Sequence, residues 1–128
     1  MNAEVVLGNV GNLYDAVSWF ERTYLHIRMK SNPEIYHVND MNNYQTKINL
    51  MHSVAYNLSK LNIIQYDIPS GSMKPTALGT IVSHYYLSLK SVKVYNDTLG
   101  PEMSIIDVLR VFSYSAEFSQ IPIREEEK

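Results

Sequence analysis

The sequence contains no cysteine, which removes disulfides, thiolate metal sites and thiol nucleophiles from consideration. That lack is consistent with a reducing compartment. Glycine is scarce too, and Gly8 and Gly11 lack both the Gly-Lys-Ser/Thr ending of a phosphate loop and the full dinucleotide fingerprint. Eleven Lys and Arg against thirteen Asp and Glu leave a net charge of −2. General attraction to nucleic acid is therefore absent, and any such binding needs a local basic face or a partner domain. No apolar run approaches the roughly 18 to 20 residues of a membrane span. Met1-Asn2-Ala3-Glu4 lacks the basic-then-apolar order of a secretory signal. His26, His37, His52 and His84 never fall in a His-x-x-x-His or similar ligand pattern. No nucleophile, base or metal set stands at workable spacing, so the chain is expected to catalyse no reaction by itself.

What is present is the material of a folded protein: 45% hydrophobic and 19% charged residues over 128 positions, enough for one ordinary domain or two small lobes. The chain opens almost inside an apolar segment, Val5-Val6-Leu7, and closes on Arg124-Glu125-Glu126-Glu127-Lys128. Those ends predict an excerpt of something longer, although short complete proteins also end in charged tails.

Residues 4–7 read as a short strand or helix end, closed by the turn Gly8-Asn9-Val10-Gly11. Asn12 caps the next element, with Asp15 in the capping-box position. Leu13, Ala16, Val17, Phe20, Tyr24 and Ile27 then share one stripe, predicting a single long helix that ends before Pro33. Tyr14, Leu25 and Met29 fall on its opposite side, near Ser18 and Arg22. One small domain rarely covers both sides of a helix, so this second apolar face is a candidate docking surface for something outside the chain. Scattered exposed hydrophobes, normal on any surface, are the alternative.

Residues 39–44 are polar and turn-like. Ile48, Met51, Ala55 and Leu58 repeat at helical spacing over about 44–60. Ile63-Ile64-Gln65-Tyr66-Asp67-Ile68 has strand composition, Pro69-Ser70-Gly71-Ser72 turns it back with Gly71 supplying a positive φ, and Met73-Lys74 returns. Two helices and a hairpin make the skeleton of a winged helix, an order that is common by itself.

A hinge helix follows over residues 77–87, with Thr76 at its N-cap and Pro75 keeping the preceding chain extended or turning. Leu78, Ile81, Val82, Tyr85 and Leu89 form its expected core stripe, which would place the two aromatics Tyr85 and Tyr86 at the end of a buried helix. Beyond it the chain reads as all-helical. Ser91 is the expected cap of a helix carrying Val92, Val94, Tyr95 and Leu99, stopped by Gly100-Pro101. Ser104 with Asp107 forms a capping box before Ile105, Val108, Leu109 and Phe112. Ala116-Glu117-Phe118 ends that helix, Pro122 enforces an extended exit, and residues 125–127 read as a solvated charge run.

As a reader of DNA the second long helix is too neutral: it offers Lys47 and Lys60, with Asn49, His52, Ser53 and Asn57 between them. Lys74 on the wing, and Arg28 with Lys30 near the end of the first helix, are candidate phosphate contacts, with solvated cations as the alternative.

Several segments together carry a family resemblance. Trp19-Phe20-Glu21-Arg22-Thr23-Tyr24-Leu25-His26-Ile27-Arg28-Met29, then Asn32-Pro33 and Tyr36, resembles the first winged-helix helix of the Ski-like superfamily II DExH helicases. Leu78-Gly79 with Ser83-His84-Tyr85-Tyr86 resembles the start of the helical domain those enzymes share with the Sec translocation protein. Leu109-Arg110-Val111-Phe112-Ser113, Glu117-Phe118 and Arg124-Glu125-Glu126-Glu127-Lys128 resemble the N-terminal cassette of the branch of large spliceosomal tri-snRNP RNA helicases. The sequence departs from the family in a shortened segment between Pro33 and Tyr44, in His37 where glycine tends to follow the tyrosine, and in Thr80 where arginine commonly follows Leu-Gly.

The resemblance implies a mostly α fold with a small β-hairpin: a winged-helix domain at 1–76, then the first helices of a truncated Sec-homology bundle at 77–128. It implies a nuclear, non-catalytic structural and RNA-channel segment of an ATP-dependent RNA helicase that unwinds small nuclear RNA duplexes in pre-mRNA splicing. ATP and magnesium would belong to the parent's RecA-like domains, with no cofactor or metal in this segment. Tyr14, Leu25 and Met29 would dock those domains, and Arg28, Lys30 and Lys74 would face RNA. The partners implied are the RecA-like domains and remaining bundle of the same chain, RNA through the parent, and other snRNP proteins, with no membrane. Three alternatives stay open: a free-standing winged-helix nucleic-acid binder, a protein-interaction module, and the equivalent segment of the paralogous activating signal cointegrator complex helicase.

Overall fold

The computed structural model describes residues 1–38 and 40–121. Asn39, Pro122 and the charge run at 124–128 lie outside the described residues. The chain divides into two compact units, residues 1–83 and 84–128.

In the first unit, α1 (Asn2–Val6) resolves the strand-or-helix choice for residues 4–7 in favour of helix. Gly8, at φ +78, turns the chain away from it. The Asn12 side chain accepts from the Asp15 N–H and starts α2 (Leu13–Glu21), whose Ala16, Val17 and Phe20 enter the core. The single long helix expected here is in fact two. The chain leaves helical geometry at Arg22–Thr23, where the Thr23 hydroxyl donates to the Phe20 carbonyl and accepts from the His26 N–H, capping α3 (Tyr24–Ser31). A threonine able to bond the preceding carbonyl competes with helix continuation. The restart changes the helical phase: Tyr24 (73% exposed) and Ile27 leave the expected core stripe, and Met29 enters the core at 6% exposure.

Asn43 caps α4 (Tyr44–Lys60), the bounds its periodicity predicts, and Met51, Ala55 and Leu58 are buried along it. α4 packs on α2 and on β1 (Ile64–Asp67). β1 pairs antiparallel with β2 (Ser72–Pro75) in the register Tyr66↔Met73. Gly71, at φ +69, makes the turn, and its carbonyl accepts from the Leu13 N–H while Gly11 accepts from Met73. The start of α2 is thereby stitched to the edge of the hairpin.

α5 (Ala77–His84) begins where Thr76 accepts from the Gly79 N–H. Its buried face is Gly79 and Val82, not the broad stripe expected; Ile81 and Tyr85 are exposed, and Leu89 belongs to the next helix. The reason is a backbone contact. A Cβ on Gly79 would stand 2.0 Å from the Ile63 carbonyl oxygen, so the helix lies flush on the end of α4's exit turn and has no room to bury a wide stripe. Asn2 Nδ2 donates to the Gly79 carbonyl at 2.8 Å, tying α1 to the same point.

In the second unit, α6 (Leu89–Thr98) is capped by Ser88, three residues earlier than the sequence reading places it. Ser91 sits inside the first turn, fully buried, because its hydroxyl serves as a tertiary anchor. α7 (Ile105–Ser113) carries the expected capping box of Ser104 and Asp107. It stops at Tyr114, and Ala116–Gln120 forms a separate 3-10 turn rather than the end of α7. No helix among the described residues is long and apolar enough to cross a membrane.

Candidate docking and nucleic-acid surfaces

In the first unit the break at Thr23 separates Tyr14, on α2 and 68% exposed, from Leu25 and Met29 on α3. Leu25, 48% exposed, and the buried Met29 line one apolar groove of about 490 Å³ with Trp19, Phe20, Tyr36, Leu50, Met51 and Val54. The continuous second face expected of one helix is thus two features: an isolated tyrosine, and a groove in which Leu25 is the accessible rim and Met29 the floor.

The candidate phosphate contacts also divide. Arg28 and Lys30 occupy the last turn of α3, while Lys74 stands on β2 opposite Gln65. All three are exposed. Lys47, on the candidate reader helix, is unavailable: it is buried and its Nζ lies 2.5 Å from Glu21 Oε1. The hydrogen bond from Lys47 holds the Glu21 carboxyl below its ordinary range. Removing Glu21 would leave a buried ammonium unpaired, so this pair reads as part of the packing between α2 and α4.

Sequence reasoning missed Tyr56 and Tyr66. His52, Tyr56 and Lys60 recur at successive turns of α4, a spacing that places them on one face and was visible in the sequence. The His52 and Tyr56 rings are stacked, and Lys60 Nζ lies 4.5 Å from the Tyr56 ring centre. His52 Nδ1 and the Tyr66 hydroxyl share a 2.7 Å hydrogen bond. Burial, with the neighbouring Asp67 charge adding to it, raises the Tyr66 phenol above its usual value.

The second unit is held by polar contacts more than by apolar ones. The Glu117 carboxylate accepts from the Ser91 hydroxyl and from the Ser88 N–H, and the Ala116 N–H donates to Ser91. With the Ser91 bond leading, these donors push the Glu117 carboxyl from its ordinary 4.5 down to about 2. Tyr95 and Ser115 join hydroxyls at 2.5 Å. Among the described residues of this unit, Val92 and Val111 are the buried hydrophobic side chains, whereas Ile105 (80% exposed), Ile106, Leu109 and Phe112 project from α7 into solvent. Tyr85, Leu87, Tyr95, Leu99, Val108, Val111 and Phe112 line an apolar groove. Tyr85 and Tyr86 are exposed as well, contrary to the buried helix end expected of them.

Comparison with known proteins gives two adjoining family matches: a winged helix-turn-helix domain over residues 1–65 and a Sec63 Brl domain over residues 75–128. Over its full length the chain is 44% identical to the U5 small nuclear ribonucleoprotein 200 kDa helicase of Homo sapiens. It is 42% identical to the activating signal cointegrator 1 complex subunit 3-like protein of Dictyostelium discoideum and 41% identical to the pre-mRNA-splicing factor brr2 of Schizosaccharomyces pombe. It spans 6% of the length of each. The match over residues 1–65 shows that the chain belongs to the winged helix-turn-helix family, with a Sec63 Brl segment following over residues 75–128.

Proposed function

We propose that this chain is a non-catalytic brace and RNA-channel wall within an ATP-dependent RNA helicase that separates small nuclear RNA duplexes in the nucleus. The observation that carries the reading is the bare apolar face of α7, on a chain aligned end to end with 6% of much longer helicases. Such a face is costly in water and ordinary at a domain interface. In this reading the remainder of the helical bundle covers α7, the RecA-like domains meet Tyr14 and Leu25, and Arg28, Lys30 and Lys74 face RNA phosphates. Met29 acts from beneath, as the floor under Leu25. The partners beyond the chain are other snRNP proteins.

Among the described residues no three His, Asp or Glu side chains cluster for a metal, and the sequence holds no phosphate loop. The nucleotide and its metal would be held by the RecA-like domains of the parent.

The test is the double variant Tyr14→Ser, Leu25→Ser in the complete helicase. Both side chains are exposed, so the fold of the 128-residue chain should be nearly unchanged while ATP-coupled unwinding falls. Unwinding at the native rate would reject the docking role. A second reading, the same brace in a relative of the activating signal cointegrator complex subunit, is favoured by the 42% identity to that protein. Co-purification of spliceosomal rather than cointegrator components with the complete protein separates the two.

A further inference from the structure

Sequence and packing disagree about α5. The Sec63 Brl match begins at residue 75 and takes the helix in, yet α5 packs within the first unit, which runs to Ser83. The Thr76 hydroxyl accepts from the Gly79 N–H at 2.9 Å. It also lies 2.7 Å from the Asn62 carbonyl and 2.8 Å from the Ile63 carbonyl, to which its single proton is directed. Gly79 itself rests against the Ile63 carbonyl with no space for a Cβ. From α1, Asn2 Nδ2 donates to the Gly79 carbonyl at 2.8 Å. Groups from α1 and from the turn after α4 thus converge on one residue of α5.

One of these contacts is kept at a cost. The Gly79 carbonyl can only accept, so the Asn2 carboxamide must turn its nitrogen toward it. Its oxygen, Oδ1, is then buried without a hydrogen-bond partner. Leaving a buried acceptor unpaired costs about as much as one hydrogen bond returns. Asn2 is not needed to anchor α1 either, because Val5, one turn along, is 2% exposed in the core. A side chain that adds little net stability and grips another helix's backbone is placed to fix a position.

We propose that Asn2 and Thr76 are positioning residues that lock α5 to the winged helix, so that α5 moves as part of it although the Sec63 Brl match includes it. The inference rests on the helicase reading for its functional consequence. A helix fixed to the brace passes on force that a loosely hinged one would absorb, so the lock serves the coupling of ATP hydrolysis to strand separation. α5 is therefore not the hinge that its place between two families suggests.

Amide hydrogen exchange of α5 in the 128-residue chain tests the lock. Asn2→Asp turns a carboxylate oxygen toward the Gly79 carbonyl at constant size, and Thr76→Val removes the hydroxyl at constant size. Each should lower the protection of the Ile81 and Val82 amides about tenfold, the equivalent of one hydrogen bond lost. Thr76→Ser, which keeps the hydroxyl, should leave that protection unchanged, and α4 amides in the same spectra show that each variant is folded. In the complete helicase, Asn2→Asp should lower the number of base pairs separated per ATP hydrolysed while the ATPase rate stays native. Val5→Ala weakens the same helix α1 without touching the lock, and should leave that ratio at its native value. Undiminished α5 protection in a variant overturns the role of the residue it changes. A loosened α5 with a native ratio of base pairs to ATP overturns the positioning role. Failure of the native complete protein to separate any RNA duplex would instead sink the helicase reading, and leave the exchange result standing.

Discussion

The two units solve the problem of burial differently. In the first, Val5, Val17, Phe20, Met51, Ala55, Ile63, Ile64 and Met73 come from five different elements and from the turns between them and close on one another. In the second, Val92 and Val111 are the buried hydrophobes among the described residues, and a polar clasp around Glu117 does much of the fastening. Hydrophobic burial contributes roughly 25 cal/mol per Å² of apolar surface, so the first unit has a driving force the second largely lacks. The lesson is that a unit can be locally well formed, with caps and helices in order, and still have an unfinished core.

The sharpest way to probe this difference is to truncate one phenylalanine in each unit. Phe20→Ala should cost about 3 to 5 kcal/mol in denaturant unfolding, the range for a large aromatic removed from a packed core. Phe112→Ala should cost less than about 1 kcal/mol, because its ring is already half in water. Equal losses would mean that the second core is as complete as the first.

Gly79→Ala comes next. The added methyl would collide with the Ile63 carbonyl, and backbone cannot retreat as a side-chain tip can. Overpacking of this kind typically costs about 1 to 3 kcal/mol, here read as a lower unfolding midpoint of the first unit.

Acid should act on the second unit through Glu117. Its folded pKa is depressed, so the stability it contributes is present above its ordinary 4.5 and is lost as pH falls toward about 2. Glu117→Gln should flatten that part of the acid profile, followed by the chemical shifts of Ser88 and Ala116 amides.

The smallest effect expected is a gain. His37 holds φ +52, a conformation that costs a non-glycine residue about 1 to 2 kcal/mol. Part of that relief is cancelled by the greater freedom of glycine in the unfolded chain, so His37→Gly should raise the stability of the first unit by about 0.5 kcal/mol.

What was legible in the sequence was local. Asn12, Ser104 with Asp107, the limits of α4 and the Gly71 turn each depend on residues a few positions apart, and periodicity or capping chemistry exposes them. The rest depended on partners distant in sequence. Ser91 looks like a cap until Glu117, twenty-six residues on, takes its hydroxyl. Gly79 looks like an ordinary helix residue until Ile63 is placed against it. The break at Thr23 was hidden because the apolar period runs through it unbroken, and one side-chain hydrogen bond resets the phase. Of the candidate surfaces, Tyr14 and Leu25 were recognised as exposed apolar positions, but the burial of Met29 and the union of Tyr56 with Tyr66 through His52 required the fold.

Amide hydrogen exchange on the 128-residue chain tests the contrast most directly, since it reads the opening free energy of each segment separately. The account predicts that amides of α2 and α4 exchange only through global unfolding of the first unit, while those of α7 exchange orders of magnitude faster through local opening. Protection in α7 equal to that in α4 would contradict it, because a helix with its apolar face in water would then be as secure as one with its face in the core.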